Sequence, residues 1–154
     1  MLALVALAAC SDGGGTGFLA TKAPTIRVKP VVALADREAV LAATEALKAK
    51  LAGLGYRVVE DDDEAVAVAS RFDLRLPLPE AIRFSGEGAG VCTMVSDLSR
   101  RGASLGEAQA RLGVRFTGLD AGGEIPPANI ATVIRRCAER QAEAIARALG
   151  KAGL

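Results

Sequence analysis

The segment TIRVKPVVALADREAVLAATEALKAKLAGLGYRVVE, Thr25 to Glu60, decides the fold. From Thr25 to Leu34, Ile26 and Val28 alternate with Arg27 and Lys29, a period of two that predicts a half-buried strand. Pro30 has no amide to donate to a ladder, which assigns it to an edge or a bulge. Asp36 is suited to cap a helix N-terminus, and Glu38 falls in the first turn, where a carboxylate meets the positive end of the helix dipole. Val40, Thr44, Leu47, Leu51 and Leu54 then recur at steps of four and three, one stripe of an amphipathic helix. Gly55 stands where a left-handed C-cap is wanted, and Tyr56–Glu60 predicts a second strand. A right-handed crossover sets the two strands parallel in one sheet.

Downstream, Asp61–Ser70 (DDDEAVAVAS) carries two signals. Acids ahead of an Ala/Val run predict a short helix, the reading adopted here, while Val66 and Val68 alternate as in a strand. Phe72, Leu74 and Leu76 alternate with Asp73 and Arg75, a half-buried strand closed by Pro77 and Pro79. Val91–Leu98 predicts one arm of a hairpin, with Arg100-Arg101-Gly102 as its turn and Ala103–Phe116 as the return. Pro126 and Pro127 precede a long helix from Ala128 to Leu149, with Ile130, Ile134, Cys137, Gln141, Ile145 and Ala148 on one face and Gly150 at its end. The expected fold is α/β, an α+β-like two-layer arrangement of one mixed sheet and two main helices, in the order β-α-β-(α)-β-β-β-α.

Composition narrows the chemistry. Apolar residues make up 51% of the 154, yet aromatics only 3%, with no Trp and one Tyr, so the core is built from Ala, Val, Leu and Ile. Lys and Arg number 19 against 18 acids, which leaves no global basic field, and few aromatics leave no stacking platform: no nucleic-acid partner is expected. His is absent, which removes Ser-His-Asp and Cys-His nucleophiles and His metal sites together.

Upstream of the domain, the apolar run Met1–Ala9 ends in Leu7-Ala8-Ala9-Cys10 and is followed by the flexible segment Ser11-Asp12-Gly13-Gly14-Gly15-Thr16-Gly17. This stretch resembles the lipobox of bacterial lipoproteins, which implies that Cys10 is acylated on sulfur and becomes the first residue of the mature protein. The expected organisation is a signal-peptide h-region at 1–9, the lipidated Cys10 and a linker over 10–23, and a single α/β domain over 24–154. The h-region holds only about nine residues and no Lys or Arg precedes it; a start farther upstream would supply both. A transmembrane helix is not expected, since a span needs about 20 apolar residues. Ser11 stands after the cysteine where inner-membrane retention would want Asp, so the outer membrane is the expected location. The opening from 25 to 76 also looks like the small α/β domains of periplasmic accessory lipoproteins, such as the curli-secretion type and the N-terminal domain of TolB.

If Cys10 carries lipid, Cys92 and Cys137 remain as an even pair in an oxidising compartment. A bridge between them closes a loop worth roughly 4 kcal/mol; the alternative is two buried thiols acting as small hydrophobes.

Each remaining candidate has a plain structural reading. Glu60-Asp61-Asp62-Asp63-Glu64 has oxygen ligands of the kind calcium takes, but not the Asp-x-Asp-x-Asp-Gly spacing, and is read as a solvated turn. Gly86-Glu87-Gly88-Ala89-Gly90, after an expected strand Ile82–Phe84, matches neither GxGxxG nor a P-loop and is read as a turn. The five lysines, at 22, 29, 48, 50 and 151, form no Ser-x-x-Lys pair, and no Cys-x-x-Cys occurs. Arg100-Arg101 and Arg135-Arg136 are read as a hairpin tip and a wet helix face. Asp73 with Glu107 is the one carboxylate pair that could revive an enzyme reading, if buried with raised pKa.

No catalytic residue, metal or cofactor is expected. The leading expectation is a non-catalytic lipoprotein held to the membrane through Cys10 and acting on an envelope protein partner. A periplasmic small-ligand binder is the first alternative, and a cytosolic domain with a chance lipobox the second.

Overall fold

The computed structural model describes residues 23–33, 37–117, 119 and 122–154. Cys10, the apolar run before it, most of the linker and the expected cap Asp36 lie outside these residues. One mixed six-stranded sheet runs in the order β3 (Arg57–Val59), β1 (Thr25–Val28), β4 (Val66–Arg75), β5 (Gly88–Arg100), β6 (Ala103–Phe116), with β2 (Val32–Ala33) also paired to β4.

Strands β1 (Thr25–Val28) and β2 (Val32–Ala33) come from the single strand expected at 25–34. Both lie parallel to β4 (Val66–Arg75), but Lys29, Pro30 and Val31 stand opposite only Ala69 and Ser70, so the chain bulges at the proline. The bulge shifts the side-chain phase, which is why Val28 and Val31 are both buried while Val32 is exposed. The Val31 amide, now off the ladder, donates to Thr44 Oγ1 at 3.1 Å, and that hydroxyl donates to the Val40 carbonyl at 2.8 Å.

Helix α1 (Arg37–Gly53) buries Ala43, Thr44, Leu47 and Leu51. Leu54, expected on the stripe, falls past the helix end and is exposed. Gly55 has φ 92°, and the Tyr56 amide reaches back to the Leu51 carbonyl at 3.2 Å, the left-handed stop the sequence predicts. Strand β3 (Arg57–Val59) then pairs parallel with β1.

The helix expected over 61–70 does not form. The acids make a turn, with the Glu64 amide on Asp62 Oδ1 at 2.9 Å, and Val66–Arg75 is one ten-residue strand. Its Ala/Val half pairs with β1 on one side and β5 on the other, and a position flanked by two ladders overrides local helix preference. The strand expected at Ile82–Phe84 is instead the short helix α2 (Pro79–Ser85). Pro79 occupies its first turn and Gly86, at φ 66°, closes it.

Strands β5 (Gly88–Arg100) and β6 (Ala103–Phe116) form a long antiparallel hairpin. Its two-residue turn, Arg101-Gly102, has φ 51° and 79°, the left-handed pair that matches strand twist. Gly90 lies so close to β4 that an added Cβ would sit 2.9 Å from the Arg75 carbonyl oxygen. Gly90→Ala is therefore expected to destabilise the protein by about 1–3 kcal/mol, as read from its urea midpoint.

Helix α3 (Pro127–Lys151) runs through Gly150, where an end was expected, and stops at Gly153 with φ 77°. Its buried face holds Ile134, Cys137, Gln141 and Ile145, widened by Val133, Ala138, Ala142, Ala144 and Leu149. The widening follows from packing against two partners, the β5–β6 sheet and α1. Both long helices cover the sheet face that carries Ile26, Val68, Met94 and Leu98. The other face is polar and open, which makes the molecule two layers.

Candidate functional site

Three places carry polar chemistry. The first is buried between sheet and helix. Along β4 and β5 the inward register reads Val66, Val68, Ser70, Phe72 and Cys92, Met94, Ser96, Leu98, so two hydroxyls enter an otherwise apolar layer. Ser70 and Ser96 share a hydrogen bond of 2.7 Å between their hydroxyls. From α3, Gln141 Nε2 donates to Ser96 Oγ at 2.7 Å and to the Ala108 carbonyl at 2.8 Å. Gln141 is fully buried, and its Oε1 has no partner among the described residues. One helical turn earlier, Cys137 is joined by a disulfide to Cys92, with Cα atoms 6.3 Å apart. α3 is thus fixed to β5 twice, covalently at 92/137 and by hydrogen bonds at 96/141. The network was not anticipated, although its signal was present: polar residues in the apolar phase of two strands and a helix.

The second place is the open face of the sheet. Arg71 on β4 lies 3.7 Å from both Asp97 on the adjacent β5 and Glu107 on β6, one strand farther. Asp73 pairs with Arg75 at 3.1 Å. Asp73 and Glu107, the carboxylate pair that an enzyme reading needed buried together, are instead exposed and in different rows, each beside an arginine.

The third is the end of the sheet where the chain enters at Ala23. A cleft of about 790 Å³ there is lined by Pro24, Thr25, Tyr56, Glu64, Arg100 and Leu154, among others. The acidic turn borders it and is tied down by cations: Arg27 lies 3.2 Å from Asp63, Lys48 lies 2.9 Å from Glu60, and Arg101 pairs with Glu64. The hydrogen bond from Lys48 to Glu60 raises the lysine pKa above its ordinary value. Among the described residues no cluster of Cys, Asp or Glu could hold a metal ion. Between sheet and helices, the space is filled by Ile26, Leu47, Leu51, Met94, Leu98 and Ile145. Arg100 and Arg101 sit at the hairpin tip, and Arg135 and Arg136 are exposed on α3, as expected. No helix among the described residues is long and apolar enough to cross a membrane.

No protein-family model matches the chain, and no curated protein does so. Solved structures do. The fold is similar to that of a minor lipoprotein from Acinetobacter baumannii, with a TM-score of 0.55 at 14% identity over 81% of this chain and 91% of the other. It is also similar to PelC from Paraburkholderia phytofirmans, whose structure is a dodecamer, with a TM-score of 0.50 at 11% identity over 77% and 83% of the two chains. At such identities the likeness is one of fold, and it is a fold also found in a bacterial lipoprotein.

Proposed function

We propose that this chain is a lipid-anchored lipoprotein of the bacterial envelope whose α/β domain acts through contacts with other proteins and performs no catalysis. The observation that carries this reading is Leu7-Ala8-Ala9-Cys10, a lipobox sequence placed directly after an apolar run and ahead of a Gly-rich linker. The similarity of fold to a bacterial lipoprotein supports it.

The physics of such an anchor is additive. Each buried methylene contributes about 0.8 kcal/mol, so one acyl chain holds marginally and two or three hold stably. A Gly-rich coil of the length that separates residue 10 from residue 23 would span roughly 20 Å. That short reach holds the domain within a few nanometres of the bilayer and raises its effective concentration for partners there. The same compartment keeps disulfides oxidised, in keeping with Cys92–Cys137. Ser11, in place of Asp after the cysteine, favours the outer membrane as destination.

Cys10→Ala tests the reading. The parent chain is expected in the membrane fraction, labelled by a clickable fatty acid and banding with outer membrane on a density gradient. The variant is expected to be unlabelled and soluble. A variant that stays in the membrane, or a parent that takes no label, removes the basis of the proposal.

A further inference from the structure

The sheet has two edges of unequal character. β3 is three residues long, whereas β6 runs fourteen residues from Ala103 to Phe116 as the terminal strand of the sheet. Proteins usually blunt a long edge with Lys, Pro or inward-pointing charge, because its free amides and carbonyls template pairing with another strand. β6 contains no Lys and no Pro, and its inward residues are apolar: Ala108, Ala110, Leu112, Val114 and Phe116. A bulge lies only at the turn end, between Leu98/Ser99 and Gly106, so the stretch from Glu107 onward is regular.

We infer that β6 pairs antiparallel with β6 of a second copy of this chain, across a two-fold axis at Gln109. The charges select both the partner and the register. On the open face β6 presents Glu107, Gln109, Arg111, Gly113 and Arg115. Centring the pair on Gln109 sets Glu107 of each copy opposite Arg111 of the other, giving two ion pairs and no like-charge contact. Centring it on Glu107 or on Arg111 opposes identical charges, which is destabilising. Among the described residues Arg111 has no ion-pair partner of its own, whereas Glu107 shares Arg71 with Asp97 and so carries uncompensated negative charge. On the helix face this register opposes Ala108 to Ala110, the smallest side chains available. Beside them the groove between β6 and α3 is lined by Leu105, Ala144 and Ala148, with Arg147 and Lys151 of α3 at its margin. Because residues directly opposed in an antiparallel pair share a face, both helical layers lie on the same side of the joined sheet.

The register makes a geometric demand that a surface patch would not. Residue 109 faces its own copy across the axis, while the two copies of residue 115 lie about 40 Å apart. In the purified full chain in mild detergent, Gln109→Cys is expected to give a disulfide-linked dimer on gentle oxidation, and Arg115→Cys and the parent are not. By light scattering, Arg111→Glu is expected to weaken self-association about tenfold or more, since it sets two acids opposite each other while leaving the Arg71 ion pairs intact. Combining it with Glu107→Arg reverses both charges and is expected to restore the dimer. A Gln109→Cys variant that stays monomeric, an Arg115→Cys variant that cross-links equally well, or a double variant that remains dissociated overturns the inference. All of these chains, the parent included, carry Cys10→Ser, so the introduced cysteine is the one thiol outside the Cys92–Cys137 bridge and no readout depends on lipidation.

Discussion

Loss of the Cys92–Cys137 bridge is expected to lower stability by about 4 kcal/mol. The two residues lie 45 apart in sequence, and a cross-link over such a loop removes much of the conformational freedom of the unfolded chain. The bridge also joins the third helix to the sheet at a point where both residues are fully buried, so the native state without it has the same contacts but a more disordered competitor. The measurement is a urea titration of the parent with and without reductant, alongside Cys92→Ala/Cys137→Ala. With a slope of about 2 kcal/mol/M for a domain of this size, the midpoint should fall by about 2 M in both cases. An unchanged midpoint, or two free thiols titrated in the unreduced chain, would contradict the bridge.

Gln141→Glu is expected to produce a penalty that depends on pH. The amide donates into Ser96 and Ala108 in a fully buried position, with no Lys or Arg bonded to it among the described residues. A protonated carboxyl can make one of those donations, so near pH 4 the variant should lose only about 1–2 kcal/mol, the order of one missing hydrogen bond. An ionised carboxyl there would be buried without a partner, which raises its folded pKa above the unfolded value of about 4.3. Above that value the unfolded chain releases a proton that the folded chain retains. Stability therefore falls with rising pH, by up to about 1.4 kcal/mol per unit until the folded pKa is reached. By pH 7 the loss should be roughly 3–5 kcal/mol, whereas Gln141→Met, which makes neither donation and adds no charge, should lose about 2 kcal/mol at either pH. Urea midpoints at pH 4.5 and pH 7 separate the two. A pH-independent loss in the Glu variant would mean that water or a cation reaches the site.

Where neighbouring residues settle a conformation among themselves, the chain could be read directly. Gly55 after the periodic run, the Pro126-Pro127 pair at the start of the second long helix, and Arg101-Gly102 within the turn read at 100–102 each specify a local backbone state, found within a residue of its expected place. The parallel pairing of the first and third strands followed as well, because a helix of that length returns the chain to the same sheet. The Cys92–Cys137 pairing lay among the readings because so few cysteines were available to combine.

Other features depended on groups far apart in sequence. DDDEAVAVAS carries acceptable helix signals, and only ladders on both sides make it the middle of the sheet. Pro30 could announce a bulge, but the hydroxyl that takes up the freed Val31 amide comes from Thr44, set on the opposite layer. Asp73 and Glu107 were candidates for a buried pair until strand register placed them in separate rows on the wet face. The Ser70–Ser96–Gln141 network joins three elements, and no local pattern ranks three polar residues as partners. Local sequence determines what nearby atoms can satisfy alone, namely turns, caps and alternation. Pairing of strands and burial of polar groups are decided only on assembly, because each needs a partner that the chain brings from a distance.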